Sequence, residues 1–371
     1  MLVMTQQQPL PSPKVEVIAT PAAFSELRPE WNALVSRSDD QIFYRHEFIE
    51  IWLNHFGNGK WRILLLRNAS GHLVAALPLL HGWARLHGLP LRQLRGAANP
   101  HSGRFDLLAD QPELASAAFL DYLAEQRDWD VMILTELPCK GRAQALEKVA
   151  GSDGFPTGRW CAMQSPCRKL PATWDELEGQ LSSRFRANLR RRRRALDALG
   201  EVRAERFSDS IELVEAGIAL ELRGWKGRAG TAMAQDADTC GFYTDLARVL
   251  GAQGRLALWA LYLNDRLIAF QFGLEHRGSY ALLKPAYDES LARYSPGQLL
   301  MAEVLRDAIA RGLSRFEFLG EDMPWKRDWH PDNSAQDWLF VFRKSARGRI
   351  LQALKFKLLP RLRRITRSMH R

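Results

Sequence analysis

Cysteine is scarce in this chain. Its four thiols, Cys139, Cys161, Cys167 and Cys240, form no CxxC pair, and no histidine stands at zinc-finger spacing from them. Neither a disulfide framework nor a metal site is indicated, so no metal is expected; the thiols suit a reducing compartment. Long apolar runs are missing too. No stretch reaches the ~18 apolar residues of a transmembrane helix, and the start MLVMTQQQPLPSPK lacks the apolar core of a signal peptide, so the expected location is the cytoplasm. There is no Walker A loop, dinucleotide glycine motif, H-E-x-x-H, Ser-His-Asp order or Cys-His pair, which makes hydrolases and metalloenzymes poor fits. Acid is absent from Val341 to Arg371, a stretch holding eleven Lys/Arg; since the whole chain carries +10, the rest is left at about −1. Any electrostatic role therefore belongs to local patches.

What is present is a folded composition. Hydrophobic residues make up 46% and charged residues 25%, with twelve tryptophans, the balance of a chain that is folded over most of its length, and 371 residues suffice for two domains with cores of their own.

The polar, Pro-rich residues 1–14 read as a disordered leader. VEVIAT is a strand, and AFSELRPEWNALVSR places Phe24, Leu27, Trp31 and Leu34 at helical spacing. HEFIEIWLNHFG is a second helix ending at Gly57. WRILLLR and HLVAALPLLHG form a hairpin through the turn NASG. An irregular piece, Gly88 to Arg104, leads to FDLLA, then to the helix ELASAAFLDYLAEQRD and the strand DVMILTELP. The same order recurs after Leu170: helices over TWDELEGQLSSRFRANLRRRRRALDALG, strand VRAERF, helices over IELVEAGIALELRGWKG and FYTDLARVLGAQ, and a three-stranded meander turning at LNDR and HRGS. Helix PGQLLMAEVLRDAIARG, strand SRFEFLG and strand DWLFVFRKS close the pattern. The halves read as copies of one α+β plan. The boundary is expected near Ala162 to Lys169, where MQSPCRK interrupts the periodicity, giving domains 15–165 and 166–345 and a basic amphipathic tail 346–371.

With these segments in order, LSSRFRANLRRRRRALDALG, YDESLARYSPGQLLMAEVLRDAIARG and FEFLGEDMPWKRDW resemble the acyltransferase domain of the CelD-like branch of the GNAT superfamily. EWNALVSRSDDQIFYRHEFIEIW followed by LVAALPLL is similar to the first half of the same proteins, which are akin to the Fem peptidyltransferases. The resemblance implies two tandem GNAT-like domains with mixed, largely antiparallel sheets. It also implies transfer of an acyl group, taken as acetyl, from acyl-CoA to an amine or hydroxyl acceptor, in exopolysaccharide, cellulose or cell-envelope biosynthesis. In one respect the sequence departs from the family: the usual acyl-CoA loop, Arg/Gln-x-x-Gly-x-Gly/Ala, is represented in YSPGQLL by a single glycine, Gly297.

The chemistry expected of such an enzyme falls on three stretches. In Tyr294-Ser295-Pro296-Gly297-Gln298, Ser295 is placed to N-cap a helix with Pro296 at its first position, and a helix start offers free N–H groups to a pyrophosphate. Strand LLKPAYD carries Lys284, Tyr287 and Asp288, and Pro285 interrupts its pairing, as a splayed strand admitting a pantetheine arm requires. FEFLGEDMPWK supplies Glu317, Glu321 and Asp322 as candidate bases, with Lys326 beside them, and Tyr287 or Tyr294 as candidate acid.

The five consecutive arginines Arg190 to Arg194 lie in a helix whose apolar side is Phe185, Leu189, Leu196 and Leu199. With a neutral body and no extended basic track, they are not read as a nucleic-acid surface. Arg186, Arg190 and Arg191 are instead candidates for binding an anionic substrate or bracketing acids of the other domain, and Asp288 is a separate substrate-binding candidate. In the tail, Ile350, Leu351, Leu354 and Leu358 form an apolar stripe beside Arg347, Lys355 and Lys357, which suits the anionic inner face of a membrane. Two rivals stand beside the acyl-CoA reading: a Fem-like transferase using aminoacyl-tRNA, and a noncatalytic scaffold of a polysaccharide assembly.

Overall fold

A computed structural model describes residues 14–86 and 88–358. All but the last residue of the expected leader, and the tail beyond Leu358, lie outside the described residues. The first half runs β1 (Val15–Ile18), α1 (Pro21–Glu26), α2 (Arg28–Arg37), α3 (His46–Phe56), β2 (Trp61–Arg67), β3 (Leu73–Leu86), β4 (Leu89–Gly96), β5 (Leu108–Ala109), α4 (Pro112–Glu125), β6 (Val131–Pro138), α5 (Ala143–Ser152) and β7 (Thr157–Lys169). The second half runs α6 (Trp174–Gln180), α7 (Ser183–Asp197), β8 (Val202–Phe207), α8 (Ile211–Arg223), α9 (Trp225–Arg228), α10 (Ala237–Ala252), β9 (Leu256–Leu263), β10 (Arg266–His276), β11 (Ser279–Tyr287), α11 (Pro296–Ala310), β12 (Arg315–Glu317), α12 (Pro324–Arg327), β13 (Asp332–Phe342) and α13 (Ala346–Ala353).

Local chemistry sets several of these boundaries. Thr20, Ser182, Ser210 and Asp236 each accept the N3 backbone N–H of the helix they precede. The single helix expected over Phe24 to Leu34 is two, α1 and α2, because Pro29 has no N–H to continue the ladder. Phe24, Leu27, Trp31 and Leu34 still enter one core. Gly88 to Arg104 is not irregular throughout, since it contains β4, whose Leu91 and Leu94 are buried.

The strands form one mixed sheet in the order β1-β2-β3-β4-β6-β13-β7-β12-β11-β10-β9-β8, with β5 beside β3. Its two parallel pairs occupy matching places in the halves: Gln93–Arg95 against Val131–Ile133, and Ser279–Ala281 against Arg315–Glu317. Soon after each, the chain turns through positive φ, at Glu136 in the first half and at Leu319 and Gly320 in the second. The halves also exchange strands. β13 is inserted between β6 and β7, while β7 pairs with β12 on its other edge. Residues 162–169, expected to separate the halves, are thus part of a strand hydrogen-bonded to second-half elements on both sides.

One hydrophobic core spans the seam. Phe48 of α3 meets Phe242 of α10 edge to face, with ring centroids 5.7 Å apart. The opposite face of the second-half sheet is covered by α6, α7 and α11. The tail stripe is divided by the body: Leu351 is buried against Leu91, Val131, Phe340 and Phe342, whereas Ile350 and Leu358 stay exposed. Among the described residues, no helix is long and apolar enough to cross a membrane.

Candidate active site

The second parallel pair opens into a V. β12 stays beside β11 only as far as Ala281 and Glu317, and a register shift between Phe272 and Gly273 of β10 leaves Leu283 as an extra residue that bends β11 away. On the other wall, Leu319 adopts φ +52° and turns the chain out of the sheet. The buried Lys326 holds that turn, donating to the carbonyl oxygens of Leu319 and, at 2.7 Å, Glu321. Burial pushes its ammonium down to about 8, against the attraction of Asp322 and Glu321. Gln298 at the head of α11 ties this wall to the helix: its amide donates to the Trp325 carbonyl at 2.9 Å, and its oxygen accepts the Trp329 indole N–H at 2.6 Å.

The start of α11 faces the mouth of the V. Pro296 is the first helical residue, as expected, but the Ser295 side chain does not cap. Ser295 is left-handed, with φ +50°, and its backbone carbonyl accepts the N–H groups of Gln298 (3.0 Å) and Leu299 (3.1 Å). Since proline has no N–H, the expected row of free donors reduces to that of Gly297. The missing Cβ of Gly297 would lie 3.6 Å from the Tyr287 ring, which is partly exposed. Tyr294 directly precedes Ser295, with the Arg293 guanidinium over its ring at 4.6 Å. Asp288 closes the turn by accepting the Ser290 N–H and pairs with Arg266.

The acids expected to serve as bases differ in what surrounds them. Glu317 is buried between Arg104 (2.6 Å) and Arg315, and Asp322 is paired with Arg327 at 2.9 Å. Glu321 is exposed and has no ion pair among the described residues. Lys284 does not reach the surface freely: its ammonium lies 5.2 Å from the centroid of the Tyr243 ring, and burial, with Lys226 nearby, lowers it to about 8. His101, from the other half, joins this group by bonding the Tyr243 hydroxyl at 3.2 Å; burial pushes it down to about 4, and Lys284 adds to the effect.

A cavity of about 340 Å³ lies against the apex of the V, where Ala281 and Glu317 form one wall and Asp39, Asp40 and Phe43 of the first half form another. Burial alone would raise the Asp40 carboxyl. Hydrogen bonds from Arg45, His276 and Arg277 outweigh it and hold the group well below the usual carboxylate range. None of the first-half residues here was singled out from the sequence, where SRSDDQ enters only as part of the stretch that carries the family resemblance. The only signal was two adjacent acids ahead of the buried run IFYR.

α7 packs against α11 and against the 289–294 turn that leads into it. Arg190 is bonded to Glu178 and Arg191 to Asn188, while Arg193 braces Asp197 and Glu303. Arg186 is half-buried with no ion pair among the described residues. Several of the arginines therefore brace the second half itself, beside the mouth of the V. Among the described residues, no group of three or more His, Cys, Asp or Glu is placed to hold a metal ion.

Residues 183–327, which contain this V, match the acetyltransferase (GNAT) domain family. The matched segment lies wholly within the second half. A comparison with curated proteins finds no match. Among solved structures, FemX is similar over 89% of this chain and 98% of its own, at 12% identity and TM-score 0.59. The C-terminal domain of a putative lysylphosphatidylglycerol synthetase from Agrobacterium fabrum covers 91% and 96%, at 11% identity and TM-score 0.53. A tandem GNAT protein from the clavulanic acid biosynthesis pathway covers 90% and 100%, at 15% identity and TM-score 0.51. At these identities the likeness is one of fold, and it extends a GNAT-like architecture over nearly the whole chain.

Proposed function

We propose that the protein is an acyltransferase that holds acyl-CoA in the V of its second half and passes the acyl group to an amine or hydroxyl of a cell-envelope or polysaccharide precursor. The reading is carried by one observation: β11 and β12 pair in parallel only as far as Ala281 and Glu317, near the start of α11, and strands that part in this way would give an extended thioester arm a place to lie with the Gly297 N–H at its mouth. In the reaction, the acceptor's lone pair attacks the thioester carbonyl carbon. A C–N or C–O bond forms, the C–S bond breaks, and the proton lost by the acceptor balances the one taken up by the thiolate. Glu321, the acid of its loop without an ion pair, takes the first proton, directly or through water, and Tyr287 beside Gly297 supplies the second. Lys326 is a positioning residue, since its ammonium is occupied in fixing the loop that carries Glu321. Lys284, Tyr294, Ser295, Pro296, Gly297 and Gln298 line the donor side.

A second reading is favoured by α7. Its exposed arginines stand beside the donor mouth, which suits a polyanionic donor such as aminoacyl-tRNA. Calorimetry with acetyl-CoA and a longer acyl-CoA separates the two. Binding that Gly297→Trp abolishes, with turnover cut by Glu321→Gln while donor affinity is kept, supports the first reading. No binding of either acyl-CoA to the wild type turns the case to the second, or to a noncatalytic scaffold, and dependence on charged tRNA then decides between those.

A further inference from the structure

Two cavities lie along the seam between the halves, and they share a rim. One is the cavity at the apex of the V. The other, about 660 Å³ and open to solvent, is lined by Pro112 at the head of α4, the turn from Pro138 to Arg142 and the start of β13. Asp39, Gln41 and Arg104 line both. Together they make a trough that begins at the point where the donor slot ends and runs into the first half.

Most charges along this trough have a partner within the protein. Glu317 is held by two arginines, Asp40 by Arg45, His276 and Arg277, and Asp110 by Arg37. Asp106 accepts the N–H groups of Leu107, Arg142 and Ala143, and the Arg142 guanidinium is bonded to the carbonyl oxygens of Ser38 and Ala109. Two opposite charges remain. Asp39, half-buried on the shared rim, accepts from the Gln41 amide at 3.2 Å and has no cation against it among the described residues. Lys140, exposed in the second cavity, has neither a side-chain hydrogen bond nor an ion pair among them. A partly desolvated carboxylate without a cation favours a ligand that brings one, because the charge-assisted hydrogen bond is stronger there than in water. The second cavity has no aromatic ring in its lining on which a neutral sugar could lie.

We propose that this two-lobed trough is the acceptor site and that it takes an elongated zwitterion, amino-acid- or peptide-like, with its ammonium at Asp39 and its carboxylate at Lys140. The word acceptor rests on the acyl-transfer reading; the binding itself does not. An amine held at the shared rim faces the cavity whose far wall is Ala281 and Glu317, where the donor slot ends. The opposite end of the molecule then extends away from the chemistry into the first half.

The test uses the full chain without any acyl donor and four probes: triglycine, which reaches roughly 10 Å when extended, N-acetyl-triglycine, triglycinamide and cellobiose. Titration by NMR should find triglycine at least tenfold tighter than each of the other three. Asp39→Asn should erase the difference between triglycine and its N-acetyl form, and Lys140→Gln the difference between triglycine and its amide. Cellobiose binding as tightly as triglycine, no binding of any probe, or a ranking unchanged by both substitutions overturns the proposal. The wild-type ranking tests it even where a variant fails to fold. If binding follows the expected ranking and no acyl transfer is found, the reaction is wrong and the site stands; if transfer is found without the ranking, only this proposal falls.

Discussion

Arg104, in the loop ahead of β5, and Glu317, the last residue of β12, form an ion pair of 2.6 Å whose side chains are 7% and 6% exposed. It joins the halves at the apex of the V. Removing one member of a buried pair leaves the other charged and dry, which typically costs about 3–5 kcal/mol. Arg315 also faces Glu317, which places the expected loss at the lower end. Arg104→Met should therefore lower the urea-unfolding free energy by about 3 kcal/mol. Arg104→Met with Glu317→Leu should recover part of it, since the remaining Arg315 is 43% exposed and can turn to water. A stable Arg104→Met single variant would mean that the pair does not hold the seam.

The two lysines of the V give the protein a pH signature. Lys284 and Lys326 are both lowered from 10.5 to about 8, chiefly by burial. Between about pH 8 and 10.5 the unfolded chain holds more protons at these groups than the folded one, so folding stability gained from them rises with pH across that window. Below pH 8 both are charged in either state and their burial penalty is at its full value. Lys326→Met should flatten the rise by at most about 1.4 kcal/mol per pH unit relative to wild type. Denaturation at pH 7.5, 9 and 10 on both proteins reads this directly, and parallel pH profiles would show that Lys326 is not desolvated in solution.

These features were unequally legible in the sequence. α11, the meander and the hairpin β2–β3 follow from hydrophobic period and turn residues, which are local signals. β7 was not seen because TGRWCAMQSPCRK has no clean alternation, and its first eight residues are half-buried or exposed. The insertion of β13 beside β6 joins residues some 200 positions apart, and no local pattern encodes such a partner. The segments proposed for the donor side drew notice as Pro, Gly and acid around strand ends. The proposed acceptor trough did not, because Asp39, Lys140 and Arg104 lie in loops whose neighbours are set by how the halves meet.

Two glycines should respond oppositely to the same change. A Cβ on Gly217 of α8 would lie 2.4 Å from the fully buried Phe270 ring, so Gly217→Ala overpacks the core and should cost about 1–3 kcal/mol. At Gly297 the nearest atom is 3.6 Å away, an ordinary contact. Gly297→Ala should thus stay within about 0.5 kcal/mol of wild type. Comparing unfolding free energies checks both; a destabilised Gly297→Ala would also undermine Gly297→Trp as a clean test of donor access.

The tail yields the last prediction, since packing and membrane attachment use different residues. Leu351 is 1% exposed among Leu91, Val131, Phe340 and Phe342, so Leu351→Ala should cost about 2–4 kcal/mol whatever the tail does outside the protein. Ile350 and Leu358 are 59% and 49% exposed, so Ile350→Ser with Leu358→Ser should leave unfolding unchanged. If the tail attaches to an anionic membrane, that double variant should lose sedimentation with phosphatidylglycerol vesicles at low salt, because its apolar contact is gone while its basic residues remain. Sedimentation that is equal for wild type and double variant, and abolished by moderate salt, would reduce the attachment to charge alone. No sedimentation of the wild type would leave α13 with the single role its contacts display, a clasp over the β4, β6 and β13 face.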